Sequence, residues 1–193
     1  MRHGIIIRFR YEREDPRFRW RLSLFEAMVA PRFEKQTNQD FELWILCKAH
    51  HEEIFKAQGY HTAPNLEALP RFDIQTRHDN DDFVSQEYVK IIQDEVEKRK
   101  NSSFLISFVP VKLDLWTLKR YECGHYGPER PSMFLSLYIP PQVEEYESIF
   151  KLRHGEMWKL YPTVVTIPRG ECELVCHGDN MDSQIRPTDR MLA

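Results

Sequence analysis

Nowhere in the 193 residues is there an apolar run close to the roughly 20 that a membrane-spanning helix needs. The amino terminus, Met1-Arg2-His3-Gly4-Ile5-Ile6-Ile7-Arg8, holds only three consecutive apolar residues, too few for a signal peptide or an anchor. Neither sign of charge dominates. The 27 Lys and Arg against 30 Asp and Glu leave a net charge of -3, which does not call for a polyanionic partner such as nucleic acid. Cysteine is scarce. Cys47, Cys123, Cys172 and Cys176 stand without a secretion signal, so reduced thiols and a cytoplasmic location are expected. Internal repeats, low-complexity segments and linkers are also missing, which leaves one domain over residues 1–193. What is there is enough for a core, since 41% of residues are hydrophobic and 12% aromatic, and a globally disordered chain is excluded.

Apolar spacing sets out an alternation of elements. Residues 5–9 and 41–47 read as buried strands. Between them Asp15 and Pro16 form a helix start, Asp as N-cap and Pro at the first position, and Phe18, Leu22, Phe25 and Val29 follow at helical spacing until Pro31 ends the run. Residues 51–58 form a short helix closed by Gly59, and 61–70 are a connection. A third strand, 72–76, leads into Arg77-His78-Asp79-Asn80-Asp81-Asp82, and a helix is expected over 82–100, with Val84, Tyr88, Ile91, Ile92 and Val96 on its apolar face. Residues 104–109 and 133–139 are further strands, 110–132 are irregular, 141–160 are helical, and 164–167 and 173–176 are late strands before a polar tail. Strand-helix-strand alternation of this kind predicts an open, mostly parallel sheet with helices on its faces.

Asp79, Asp81 and Asp82 place three carboxylates within four residues after a strand. In open α/β sheets ligands bind beyond the carboxyl ends of the strands. Carboxylates held this close repel unless a cation lies among them, and oxygen ligands suit Mg²⁺ or Mn²⁺. The same residues can equally form a solvated turn, with Asp81 or Asp82 capping the next helix.

Thr76-Arg77-His78-Asp79-Asn80-Asp81-Asp82 resembles the strand-terminal DxD element of GT-A glycosyltransferases and, more narrowly, is similar to a T-R-x-D-x-D-D signature of the rhamnosyltransferase family. His78 stands where that family more often has an apolar residue. Two other stretches match the same family in the expected order. One is Arg21-Leu22-Ser23-Leu24-Phe25-Glu26 with Pro31, Gln36-Thr37 and Asp40-Phe41; the other is His177-Gly178-Asp179-Asn180. The resemblance implies a GT-A-like, Rossmann-like α/β fold with a mostly parallel sheet flanked by helices. Residues 1–109 would bind the nucleotide sugar and 110–193 would face the acceptor. It implies a hexosyltransferase, with rhamnose as the sugar the family suggests, that takes a nucleoside-diphosphate sugar donor and a glycan or other hydroxyl acceptor, nucleic acid included. It also implies a divalent cofactor, Mn²⁺ or Mg²⁺. Asp81 would be the main metal ligand, Asp79 would join it and lie near the donor's ribose or sugar, and Asp82 would be a second ligand or orient the sugar in catalysis. His177 resembles the C-terminal histidine that completes such a metal site, as imidazole can with Mn²⁺. Asn180 would hydrogen-bond the diphosphate or a loop.

Arginine is concentrated at the amino terminus, at positions 2, 8, 10, 13, 17, 19 and 21. Guanidinium binds phosphate in a bidentate, permanently charged mode, so Arg8, at the end of the first strand, and Arg77, just before the acidic cluster, are donor-binding candidates. The remaining arginines read as solvated or salt-bridged. An inverting transferase needs a base to deprotonate the acceptor hydroxyl. Glu122, His125, Glu129, His154 and Glu156 are candidates, and His154-Gly155-Glu156 pairs two titratable groups around a glycine. Cys172, Cys176 and His177, with Cys123 and His125, supply zinc-ligand types at non-standard spacing, and buried reduced thiols account for them better. Two rival functions use the same residues: a module that binds nucleotide sugar without turnover, and a metal-dependent phosphodiesterase or nuclease.

Overall fold

The computed structural model describes residues 1–123, 126–177, 184–186 and 189–192. The β-branched run Ile5-Ile6-Ile7 lies in β1 (His3–Phe9), buried on both faces as a central strand must be. Asp15 then accepts the Arg17 backbone N–H at 2.9 Å and caps α1 (Pro16–Leu24), with Pro16 at its start. The expectation that Pro31 ends this helix is wrong. A π-helical turn, Phe25–Val29, leads into α2 (Ala30–Glu34), and Pro31 sits in that helix's first turn. The Ala30 N–H reaches five residues back to the Phe25 carbonyl. The wide turn resets the bonding register just before the residue that has no N–H to give.

β2 (Glu42–Cys47) is followed by a 3₁₀ turn, Ala49–His51, and α3 (Glu52–Lys56). Gly59, at φ +86°, takes the left-handed conformation beyond α3, and Tyr60 N–H returns to the Phe55 carbonyl at 3.1 Å. The expected connection over 61–70 opens instead with β3 (His61–Ala63), which pairs parallel to β2 with His61 opposite Trp44. Three residues on a sheet edge are too few to show a periodic signal.

The helix expected from residue 82 begins later. β4 (Ile74–His78) is followed by β5 (Phe83–Val84), and α4 spans Tyr88–Arg99. Phe83 and Val84 pair antiparallel with Glu173 and Cys172, ninety residues on in the chain, and that pairing overrides local helical spacing. Neither Asp81 nor Asp82 caps α4. Gln36 serves its first turn from outside, accepting the Val89 N–H at 3.0 Å and donating to the Ser85 carbonyl at 2.7 Å, while Thr37 N–H donates to the Gln86 carbonyl at 2.9 Å.

The second half holds β6 (Phe104–Phe108), β7 (Val111–Asp114), β8 (Arg120–Glu122), β9 (Leu135–Tyr138), β10 (Val164–Ile167) and β11 (Cys172–Cys176). Residues 110–132, expected to be irregular, thus include a β7-β8 hairpin. Residues 141–160, expected to be helical, contain only the 3₁₀ segment His154–Lys159. The main sheet has the order β10-β6-β9-β4-β1-β2-β3. It is parallel except for β9, which runs antiparallel to both β4 and β6. A smaller sheet has the order β5-β11-β7-β8. Strands from both sides of residue 109 enter both sheets.

One face of the main sheet packs Ile5, Ile7, Phe9 and Ile74 against Phe18, Phe25, Phe33 and α4. The opposite face packs Leu105, Leu135 and Leu137 against Ile149 and Met157 of the 141–160 segment, with Phe150 at its margin. Inside the core, His3 Nε2 meets Thr76 Oγ1 at 2.7 Å, and Thr76 Oγ1 meets Ser136 Oγ at 2.8 Å, tying β1, β4 and β9 together. Among the described residues, no helix is long and apolar enough to cross a membrane. All four cysteines are buried and free.

Candidate functional site

The carboxyl ends of β1 and β4 lie side by side in parallel register, with Ile6 opposite Arg77 and Ile7 opposite His78. Alternation along each strand then decides which side chains go where. His78 turns into the core, between Phe33, Tyr88 and Phe134, with ring centroids 5.1, 6.4 and 5.7 Å away. Burial pushes its pKa down to about 4, so it is a neutral ring filling an apolar space.

Arg8 and Arg77 go to the other face. Both guanidiniums lie over the Phe150 ring, at 4.9 and 5.6 Å from its centroid. Arg77 is largely buried. Burial lowers its pKa, Asp79 works the other way, and Arg10 is close enough to add to the lowering. Arg77 Nε is buried and has no hydrogen-bond partner among the described residues. The expected donor-binding residues Arg8, Arg77 and Asp79 are therefore gathered at one strand edge. Asp79 and Arg10 both act on Arg77 there, and the paired guanidiniums of Arg8 and Arg77 suit an anion.

A second cluster lies beside the first. Arg21, from the last turn of α1, forms an ion pair with Asp81, both side chains being more than nine-tenths buried. The same carboxylate oxygen of Asp81 is hydrogen-bonded to His177 Nε2 at 3.0 Å. Burial works against the charge on Asp81. The bond from His177 and the Arg21 guanidinium outweigh it and hold the pKa below its ordinary value. Asn80 joins the two clusters: its amide donates to the Arg8 carbonyl at 3.1 Å and its side-chain oxygen accepts from Arg21 at 3.4 Å. Asp82 is fully buried and accepts the Val175 N–H at 3.0 Å. Burial, with the charges of Asp81 and Asp79, pushes its carboxyl well above the ordinary range. Asp82 thus fastens the acidic segment to β11, the strand that delivers His177.

Of the residues expected as metal ligands, Asp81 and His177 meet, but around a guanidinium. Among the described residues, no group of three or more His, Cys, Asp or Glu side chains is arranged to hold a metal ion. Arg21 holds the Asp81 oxygen that His177 also bonds, and Asp82 is turned into the β11 backbone. Among the described residues, a divalent ion at the Asp81 oxygen bonded by His177 would have to displace Arg21. Cys172 and Cys176 are buried and free, and burial pushes the Cys176 thiol up to about 12 and Cys172 well above its usual value.

The base candidates come from the second half of the chain. Glu156 is paired to Lys159 at 2.8 Å within its own 3₁₀ segment, which lowers its pKa. His154 opens that segment, half-buried. Glu122 is paired with Arg169 at 2.7 Å, and Glu129 is exposed. His125, Asp179 and Asn180 lie outside the described residues.

Sequence reading missed Arg21 and Asn80. Arg21 was one arginine among seven and Asn80 a turn residue. The available signal was that each of the three family-like stretches contributes one member of the Arg21, Asp81 and His177 cluster. The Trp20 indole also adjoins this cluster, 6.1 Å from the His177 ring.

Several solved structures share the fold. S. aureus TarS 1–349 in complex with UDP-GlcNAc aligns with a TM-score of 0.59 and 11% identity, over 96% of this chain and 62% of that one. The same protein in complex with UDP aligns with a TM-score of 0.55 and 10% identity, over 91% and 61%. CMP:2-keto-3-deoxy-manno-octonic acid synthetase complexed with CTP aligns with a TM-score of 0.53 and 11% identity, over 94% and 93%. The chain thus spans about three fifths of the TarS structures. No family model matches the sequence, and no curated protein matches it. At these identities the likeness is one of fold, a GT-A-like α/β sheet flanked by helices.

Proposed function

We propose that this chain binds a nucleoside-diphosphate sugar at the carboxyl ends of β1 and β4 and transfers the sugar to a hydroxyl acceptor. The observation that carries this reading is the anion cradle of Arg8 and Arg77 on Phe150, in which the buried Arg77 Nε has no partner among the described residues. A buried donor without an acceptor is costly, and a diphosphate oxygen would satisfy it. The fold supports the same reading, since both TarS structures and the synthetase carry nucleotides. Glycosyl transfer leaves negative charge on the departing diphosphate, and guanidiniums already fixed in place stabilise that charge without reorganising. Asp79, half-buried beside them, would face the donor's ribose or sugar. His154, shortly after Phe150 in the chain, is the proposed base for the acceptor hydroxyl. The sugar would be a hexose, with rhamnose the first to try. A metal has no step in this reading, because Arg21 already supplies the cation at Asp81.

Thermal unfolding with UDP-, dTDP- and GDP-sugars, each with and without Mn²⁺, tests the proposal. A ligand at 100 times its dissociation constant adds about 2.7 kcal/mol. Stabilisation by one nucleotide series is expected, with or without Mn²⁺, and Arg77→Met should abolish it. If no nucleotide sugar stabilises the protein under either condition, the reading is wrong.

A further inference from the structure

Two exposed indoles lie beside the Arg21, Asp81 and His177 cluster. Trp20 is 39% exposed and Trp116 69% exposed, unusual values for the largest side chain. Their rings are nearly parallel, 11° apart, with centroids separated by 6.5 Å. Trp20 immediately precedes Arg21 on α1, and its ring stands edge-on to His177.

Trp116 is held in position by a built turn. At the tip of the β7-β8 hairpin, Asp114 Oδ1 accepts the Trp116 N–H at 3.0 Å, and Asp114 Oδ2 accepts the Thr117 hydroxyl at 2.7 Å. Leu118 follows with φ +57°, the only non-glycine positive φ among the described residues. A leucine pays for that conformation with about 1–2 kcal/mol, and strain of this kind gathers at ligand-holding sites. Leu115 N–H donates to the Cys176 carbonyl at 3.0 Å, which anchors the hairpin next to His177.

We infer that Trp20 and Trp116 form the acceptor subsite, a platform on which a neutral pyranose ring of a glycan stacks. The inference rests on the proposed glycosyl transfer and supplies its acceptor class. A pyranose has an apolar face of C–H bonds and a rim of hydroxyls. Parallel indoles match the face and leave the hydroxyl rim to water. A nucleobase would also stack on an indole. Its phosphates, however, would approach a chain of net charge -3, and that balance favours an uncharged ring.

The test is tryptophan fluorescence of the full chain titrated with neutral hexose- and deoxyhexose-terminated oligosaccharides, with a short single-stranded oligonucleotide and with phosphatidylcholine/phosphatidylglycerol vesicles. A saturable change with at least one oligosaccharide is expected. Trp116→Ala should weaken it about tenfold, and Trp116→Phe should restore part of it. Trp116 is exposed, so both variants should keep the wild-type melting temperature and the nucleotide-sugar stabilisation. No saturable change with any oligosaccharide, unchanged affinity in Trp116→Ala, or a response to oligonucleotide or vesicles alone would each overturn the inference. Because nucleotide-sugar stabilisation is read separately through Arg77, its absence would reject the proposed transfer and leave sugar stacking to be judged on the titration alone.

Discussion

At the scale of single residues, the decisive group is Arg21. Its guanidinium and the Asp81 carboxylate are both withdrawn from water, and a buried pair broken on one side leaves an uncompensated charge. Arg21→Ala should therefore destabilise the protein by about 3–5 kcal/mol, read from urea unfolding. The same substitution bears on the metal question. With Arg21 present, Mn²⁺ should leave the urea midpoint unchanged. Without it, Asp81 and His177 stand side by side with a vacated cation position, and Mn²⁺ should recover part of the lost stability. Saturable stabilisation of the wild-type protein by Mn²⁺ would show that the ion displaces Arg21 and would restore the metal assignment.

At the scale of elements, the segment between β4 and α4 is held by partners far away in sequence. Gln36, just beyond α2, bonds the Ser85 carbonyl and the Val89 N–H together. Helix amides in the first turn have no partner within the helix, so this outside acceptor replaces a cap. Gln36→Ala should cost about 1–3 kcal/mol, the range for leaving a buried polar group unsatisfied. Amide exchange at Val89 should accelerate more than at Val96; equal acceleration at both would mean that the side chain does not act as a cap. The π-helical turn before Pro31 belongs to the same scale. Sequence reading places the proline as a stop, whereas the wide turn lets the chain continue to Glu34 and bring Gln36 to the β5-α4 loop.

At the scale of the whole molecule, the His3, Thr76 and Ser136 network joins three strands of the main sheet and depends on a neutral imidazole. Gln93 Nε2 lies 3.4 Å from His3 Nδ1, so Nδ1 accepts and Nε2 carries the proton donated to Thr76. Burial lowers the His3 pKa from 6.5 to about 3. Below pH 6.5 the unfolded chain binds a proton that the folded state refuses, so this contribution to stability is full above pH 6.5 and is lost as pH falls toward 3. Between pH 7 and 5 the loss assigned to His3 is about 2 kcal/mol. Wild-type protein should lose that much more stability over this interval than His3→Gln, and equal losses would place the His3 pKa near its ordinary value. Other titrating groups, such as Asp82 with its raised pKa, cancel in the difference.

Much of the architecture was set by local pattern. The Ile5-Ile6-Ile7 run, the Asp15-Pro16 start, Gly59 and the late strands are short-range signals, and each stands where spacing and turn chemistry place it. The sequence also brought forward Arg8, Arg77 and Asp79, which stand at or just beyond the carboxyl ends of β1 and β4, where ligands of open α/β sheets bind. Tertiary structure alone decided the rest. Phe83 and Val84 read as helix because their partners, Glu173 and Cys172, are invisible to a local window. Residues 141–160 carry apolar side chains at nearly helical spacing, yet they bury them against β6 and β9 without closing helical turns, apart from the 3₁₀ segment. Above all, local sequence predicts that carboxylates in a row will need a cation. It does not reveal that α1 brings that cation as Arg21, that β11 brings His177 to the same oxygen, or that Asp82 will be spent on a backbone N–H, because contacts between elements form only when the sheet sets their distance and facing.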